Sequence, residues 1–343
     1  MFANMAEIIC SKGKKMTNKL KKKIYDLICS LSPDDKNEII QFLSSIDSNT
    51  LLMETIEEIG QRRNSNGYRC PYCSCSTVSR YGIYRNRQRY YCKECKKTFT
   101  DLSLSCLHYI HYKEKFFSAA SLMLNGATLK QISDSLNINI ATAFAWRHKI
   151  LDILKNRQDK KLSGIVEADD TFFAISDKGN KNLKRKAKKR GAKSYKRGIS
   201  SEKVCVVVAR DRNSNTISDI ATIGRPSADN IDTLLGKSIT ASCVLLTDRH
   251  PSFSRFAKNK KIKYIALDLG KGRRTIKGIY HIQNVNSYHS RLKTWIKRFK
   301  GVATKYLSNY LHWFEFIDMN VKDKTAQAAQ KTLILNACLP GMV

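Results

Sequence analysis

Four cysteines constrain this chain more tightly than anything else in it. Cys70-Pro71-Tyr72-Cys73 is followed, after eighteen residues, by Cys92-Lys93-Glu94-Cys95. Two C-x-x-C knuckles at that separation can place four thiolates tetrahedrally around one Zn2+ ion, and a site closed by four sulfurs is structural, not catalytic. Between the knuckles, Thr77 to Tyr84 and Arg89 to Tyr91 alternate like two strands, joined at Arg85-Asn86-Arg87-Gln88. The reading is a zinc ribbon over residues 66–102, with Cys70, Cys73, Cys92 and Cys95 as ligands and Cys75 as a bystander. Free or disulfide-bonded cysteines are the alternative. There are 11 cysteines in 343 residues; a chain this long does not need a disulfide scaffold, and the four in C-x-x-C pairs argue for reduced thiolates on metal and a cytoplasmic location.

Charge sets the partner class. Lys and Arg total 62 against 29 Asp and Glu, a formal charge of +33, while 42% of residues are hydrophobic. A globular composition with that surplus points to a polyanion. No apolar run reaches the ~18 residues of a membrane span, and Met1 to Cys10 lacks the pattern of a secretory signal. From Lys181 to Arg197, ten of seventeen residues are basic and none is acidic. Lys186, Lys189 and Arg190 in this run are candidate phosphate contacts, the other reading being a solubilising loop.

Residues 1–62 read as helical, with Leu20, Ile24, Leu27, Ile28 and Leu31 at helical spacing. Ser32-Pro33-Asp34-Asp35 looks like a fresh helix start. No function attaches to this region. Residues 108–156 return to helical periodicity and contain a helix-turn-helix candidate. Leu129 to Leu136 is followed by the turn Asn137-Ile138-Asn139 and a second helix from Ile140 to Ile150. Leu129, Ile132, Leu136, Ile138, Ala143 and Trp146 would close its small core. Thr142, Arg147 and Lys149 would face outward to a DNA groove. An ordinary helical hairpin has the same period.

The C-terminal half alternates. Gly164–Ala168, Lys203–Arg210, Thr216–Thr222, Cys243–Thr247 and Lys263–Leu267 read as strands. Asp229–Leu235, Pro251–Lys258 and Val285–Phe299 read as helices. The order is three strands, helix, strand, helix, strand, helix. Ile165-Val166-Glu167-Ala168-Asp169-Asp170 is an apolar strand ending in acids, and Val244-Leu245-Leu246-Thr247-Asp248 is another. Acids at strand ends of one sheet are the minimum frame for a hard cation and phosphoryl transfer. On the last helix Asn286, His289 and Lys293 share a face. An amide oxygen there can complete an oxygen shell, and Lys293 can hold a phosphate.

The order of ribbon, helix-turn-helix and α/β core resembles the insertion-sequence 1595 group of DDE-type transposases. Three segments carry the likeness: Glu167-Ala168-Asp169-Asp170-Thr171, Thr247-Asp248-Arg249-His250, and His281 through Lys293 continuing to Gly301 and Tyr306. The resemblance implies an RNase H-like mixed sheet with flanking helices over 162–318, and a C-terminal tail over 319–343. It implies Asp169, the first of two adjacent acids, with Asp248 and Asn286 on catalytic Mg2+ (or Mn2+), and Lys293 seven residues after Asn286. It further implies DNA partners, namely element terminal repeats and target DNA, a homodimer or higher assembly, no membrane, and a nucleoid-associated location on DNA. The sequence departs from the family where Tyr288 and His289 replace a Trp-containing phrase. The third position is not acidic, which leaves Glu315 as a substitute ligand. Two further readings stand beside a transposase: a DNA-binding regulator with a dead core, and a nuclease of the same fold.

Overall fold

The computed structural model describes residues 18–155, 160–183, 198–268, 275–320 and 326–339. The chain divides at Leu51/Leu52 into two compact units. In the first, α1 (Asn18–Cys29) precedes the start of α2 (Pro33–Arg63). The Ser32 hydroxyl accepts the Asp35 N–H at 3.1 Å and donates to its carboxylate at 2.7 Å, which caps α2 as the Ser-Pro-Asp-Asp run predicts.

The second unit begins with the ribbon. Strands β1 (Val78–Tyr84), β2 (Arg87–Cys92) and β3 (Thr98–Phe99) form an antiparallel sheet in that order. Tyr84 pairs with Arg87, so the join is two residues, not the expected four. Arg85 and Asn86 both take positive φ, 50° and 58°, the turn whose twist suits a hairpin. Three helices follow: α3 (Lys113–Leu124), α4 (Leu129–Leu136) and α5 (Ile140–Lys155). Helix α4 starts on a reciprocal cap: the Gln131 N–H donates to Thr128 Oγ1 at 3.3 Å, and the Thr128 N–H to Gln131 Oε1 at 2.8 Å. It stops at Asn137, which is left-handed at φ 46°.

The α/β part runs β4 (Ile165–Ala174), β5 (Lys203–Asp211), β6 (Thr216–Ile223), α6 (Ala228–Leu235), β7 (Val244–Thr247), α7 (Pro251–Asn259), β8 (Lys263–Ala266), α8 (Gln283–Lys297), α9 (Thr304–Asn320) and α10 (Ala326–Cys338). Its sheet has the order β6-β5-β4-β7-β8. β4, β5 and β6 pair antiparallel, and β7 and β8 add in parallel. This is the expected RNase H-like mixed sheet with flanking helices. One face, with Val166, Ala168, Cys205, Val207 and Ala209, packs on Ile231 and Leu235 of α6 and Phe253 and Phe256 of α7. The other face takes α8 and α9.

Four expectations need correction. The first strand does not end in its acids: β4 continues to Ala174 because β5 pairs with it from Val166 through Ala174. Arg147 does not face a groove. It is buried at 1% exposure because α9 covers that side of α5. Its guanidinium lies 5.1 Å from the Trp313 ring and 5.5 Å from Phe299, and donates to the Ala127 carbonyl at 2.5 Å. Lys149 turns back to donate to the His108 carbonyl at 2.6 Å. The stretch expected as a tail contains α10, whose Leu333, Ile334 and Ala337 are buried. Its Gln330 amide donates to the Phe117 carbonyl of α3 at 2.8 Å.

Cys106 and Cys338, both buried, pair as a disulfide across 232 residues of sequence, while the four cysteines of the C-x-x-C pairs are free. The basic residues Lys186, Lys189 and Arg190 lie outside the described residues. Among the described residues, no helix is long and apolar enough to cross a membrane.

Candidate active site

Strand pairing brings the first two acids together. The parallel register of β4 and β7 ends at Glu167 opposite Leu246. Two residues beyond on each strand stand Asp169 and Asp248, abreast where β7 has stopped and β4 has not. Arg249, left-handed at φ 74°, turns the chain there, and its guanidinium reaches Asp268 at 2.6 Å. Asp248 is thereby left exposed at the mouth, while Asp169 is largely enclosed.

Alternation along β4 separates the two adjacent acids. Asp169 faces α8. Asp170 faces α6 and α7, where the Cys205 thiol lies 3.8 Å from its carboxylate and the charge of His250 acts on it. Burial foremost, then the charges of Asp248 and Asp170, push the Asp169 carboxyl up to about 7; the Asp170 N–H and the Lys293 ammonium oppose this. A buried acid raised by two like neighbours is a site where a cation relieves repulsion.

Helix α8 supplies the third wall. On its predicted face, His289 stands beside the acids, with Nδ1 3.6 Å from Asp169 Oδ2. Burial and then the Lys293 charge push its imidazole down to about 4, so it is neutral. Lys293 is exposed one turn further on, within electrostatic reach of both Asp169 and His289. Asn286 lies exposed in the first turn, one turn before His289.

What holds α8 against β4 is Glu167, which the sequence reading left without a role. It is 1% exposed. Its carboxylate accepts the Val285 N–H at 3.0 Å and the Asn284 amide at 2.9 Å, and pairs with Arg212 at 2.7 Å. A fully buried carboxylate demands such partners, and its place between Val166 and Ala168 was the available signal. Glu315, the substitute third ligand, is committed elsewhere. It accepts the Ser218 hydroxyl at 2.9 Å and pairs with Lys160 at 2.5 Å, buried on the β6 side.

The ribbon forms a second, closed site. The ligand sulfurs of Cys70, Cys73, Cys92 and Cys95 lie within 4.8 Å of one another, the only such group of three or more His, Cys, Asp or Glu ligands among the described residues. Cys70 and Cys92 are buried with Tyr90 and Phe99. The Cys95 N–H points at the Cys92 sulfur at 3.4 Å. This cluster can bind a structural metal ion. Cys75 stands 3.1 Å from the Cys92 sulfur without joining the four. The acid site is more open than the ribbon and does not meet the same spacing.

On the helix-turn-helix, Ile132, Ala143 and Trp146 are buried as predicted. Thr142 is half-buried at an open cleft of about 450 Å³ lined by Tyr109, Ile110, His111, Tyr112 and Trp146. The side chains that stand out from the first turns of α5 are Ile140 and Phe144, not Arg147 and Lys149.

Residues 161–317 match a family model described as ISXO2-like transposase domain. A protein of Halobacterium salinarum, named as an uncharacterized protein in transposable element ISH50, is 24% identical over 282 residues, covering 81% of this chain and 94% of that protein. Among solved structures, a pre-cleavage Mos1 transpososome matches 64% of this chain and 77% of that chain at 12% identity, with a TM-score of 0.22. A Mos1 strand transfer complex matches 62% and 77% at 14% identity, also with a TM-score of 0.22.

Proposed function

We propose that this chain, whose residues 161–317 match an ISXO2-like transposase domain, cleaves and joins DNA strands by divalent-metal phosphoryl transfer. Asp169 and Asp248 bind the ions, Mg2+ or Mn2+, and Asn286 completes the shell from α8. When bound, such ions activate an attacking oxygen and stabilise a leaving one. Lys293 holds the scissile phosphate beside Asp169. Glu167 fixes the height of α8, so that these side chains meet the sheet at one level. Water is the first nucleophile at the element end, and the freed 3′-hydroxyl then attacks target DNA.

The ribbon, its four thiolates on Zn2+, and the helix-turn-helix bind the terminal repeats. Lys186, Lys189 and Arg190 contact DNA phosphates. Two ends have to be joined, which calls for a dimer or higher assembly.

The observation that carries this reading is the Asp169 carboxyl, buried beside Asp248 and Asp170 and raised to about 7, a placement that costs stability unless a cation shares it. The test incubates the protein with a DNA end from its own flanks, Mg2+ and a target plasmid. Joined product is expected, with Asp169→Ala or Asp248→Ala abolishing cleavage while end binding persists. Cleavage without joining would make the chain a nuclease. Binding without cleavage would make it a regulator.

A further inference from the structure

Tyr109 is the most exposed large hydrophobic side chain among the described residues, at 83%, and it is held there against its backbone preference. Its φ is 61°, the left-handed region that an aromatic residue rarely occupies. Leu107 and Ile110 on either side are buried, and the Ile110 N–H donates to the Leu107 carbonyl at 3.2 Å. That turn sends Tyr109 to the surface, where its ring lies on the His108 ring at a centroid separation of 3.9 Å. Tyr112 is 64% exposed. Both tyrosines line the cleft at the start of α5, together with His111, Thr142 and the buried Trp146. Aromatic surface gathered in one place and left in water marks an interaction site.

The rim of the cleft is basic. Arg85, exposed at the ribbon hairpin, reaches His111 Nδ1 with its guanidinium at 3.4 Å. Lys115 lies 5.7 Å from the centre of the Tyr112 ring, and the Lys113 ammonium donates to the Ile110 carbonyl at 3.0 Å. None of these contacts supplies a counter-charge. Burial foremost, and the charges of Arg87 and Arg85 against that of Glu114, hold the Lys113 ammonium below its ordinary value, as expected of a cation among cations.

Uncancelled cations around exposed aromatic faces fit a polyanion that itself carries flat rings. An acidic peptide would answer the charges and leave the rings wet; an apolar helix would cover the rings and bury the charges. Nucleic acid answers both, through phosphates on the cations and a base on the aromatics. Within a duplex a base offers only its edges, so a stacking cleft needs a base taken out of the helix. The volume of about 450 Å³ lies within the ~300–1,000 Å³ of small-ligand sites.

We propose that this cleft takes one unpaired base of the DNA end, stacked on Tyr109 or Tyr112, with its flanking phosphates on Arg85 and Lys115. The proposal rests on the reading of the helix-turn-helix as the seat of the element end, and deepens it. The first turn of α5 meets the duplex at Thr142, and the adjoining cleft holds the one base that has left it.

The test uses the full chain and duplex ends from its own flanks, each with a single base pair mismatched, position by position. One mismatch should bind the wild type roughly tenfold or more tighter than the paired end, because the cost of unpairing is already met. 5-Iodouracil placed as that unpaired base should photo-crosslink to Tyr109 or Tyr112. In Tyr109→Ala/Tyr112→Ala the mismatched end should bind roughly five- to 150-fold more weakly, the worth of a stacked base, with the salt dependence keeping its slope. Both side chains are exposed, so this variant keeps its core, and Tyr109→Phe/Tyr112→Phe should retain the preference. Arg85→Ala should lower the salt slope by about one. Ends that bind with every mismatch neutral or weakening would overturn the proposal and leave the end-binding reading standing. No binding of the end would overturn both. Self-association lost in Tyr109→Ala/Tyr112→Ala, with no mismatch preference in the wild type, would give the cleft to a second copy and overturn the proposal.

Discussion

Replacing Asp169 by Asn removes the central carboxylate while keeping its shape, and the structure says the fold gains by it. Burial, then Asp248 and Asp170, hold the Asp169 carboxyl at about 7 instead of the ordinary 3.8. A group raised in the folded state binds a proton there more tightly than in the unfolded chain. Its contribution to stability is therefore complete below about 3.8 and is lost as pH climbs through about 7. The full difference is on the order of 4 kcal/mol, and Asp169 is enclosed enough, at 16% side-chain exposure, that solvent screening removes little of it. Asn titrates nowhere in this range. The stability of metal-free Asp169→Asn minus that of metal-free wild type should therefore grow by roughly 3 kcal/mol between pH 5 and pH 8. Urea unfolding at several pH values measures it, and taking the difference cancels the titrating groups that do not interact with Asp169, leaving its coupling to Asp248 and Asp170 within the slope. Adding Mn2+ at pH 8 should stabilise the wild type and leave the variant unmoved. A difference that stays flat with pH would refute the account of Asp169 as a buried carboxylate crowded by like charges.

Glu167→Ala should release the start of α8, costing about 3–5 kcal/mol as a buried ion pair is broken from one side; hydrogen exchange of residues 283–297 should quicken more than that of β5. Arg147→Ala should lose about 2–4 kcal/mol through lost packing and an unpaired Tyr310 hydroxyl, while the salt dependence of DNA affinity keeps its slope; a slope falling by about one would return Arg147 to the phosphate-contact role. Chelating the ribbon metal, or Cys92→Ser, should expose residues 68–101 to protease while the β4–β8 sheet stays protected; an unchanged ribbon would remove the metal from its fold. Shortening Lys181–Arg197 should flatten the salt dependence of DNA binding.

The strand and helix order of the α/β half was legible because β5 and β7 are short, unbroken apolar runs, buried along nearly their whole length, while the helices carry a 3.6-residue period. What was not legible depended on which elements meet. The outward side of α5 is set by α9, some 160 residues away, so helical periodicity could not tell Arg147 under Trp313 from Arg147 in a groove. The length of β4 is set by β5, since Thr171, Phe172 and Phe173 become strand by pairing with Val206, Cys205 and Val204. Asp169 and Asp248 were readable as acids following apolar runs, and alternation separates Asp169 from Asp170. That His289 is buried against the sheet and Asn286 exposed was not readable, because spacing puts both on one face and only the depth of each turn distinguishes them. Glu167 was passed over because a strand reading does not ask what neutralises a charge.

Helix α9 belongs to two assemblies at once. On one side Tyr310 and Trp313 enclose Arg147, and Asn309 donates to Asp152 of α5 at 2.8 Å. On the other, Glu315 is fastened to Ser218 of β6, and Asp318 to Arg210 of β5 at 2.8 Å. A shared beam of this kind turns the protein into a ruler. If α4 and α5 seat a duplex, the stretch from the seated bases to the cut phosphate is a fixed length in the protein, and spacers longer or shorter by a base pair have to be absorbed by bending the DNA or by a second copy reaching across.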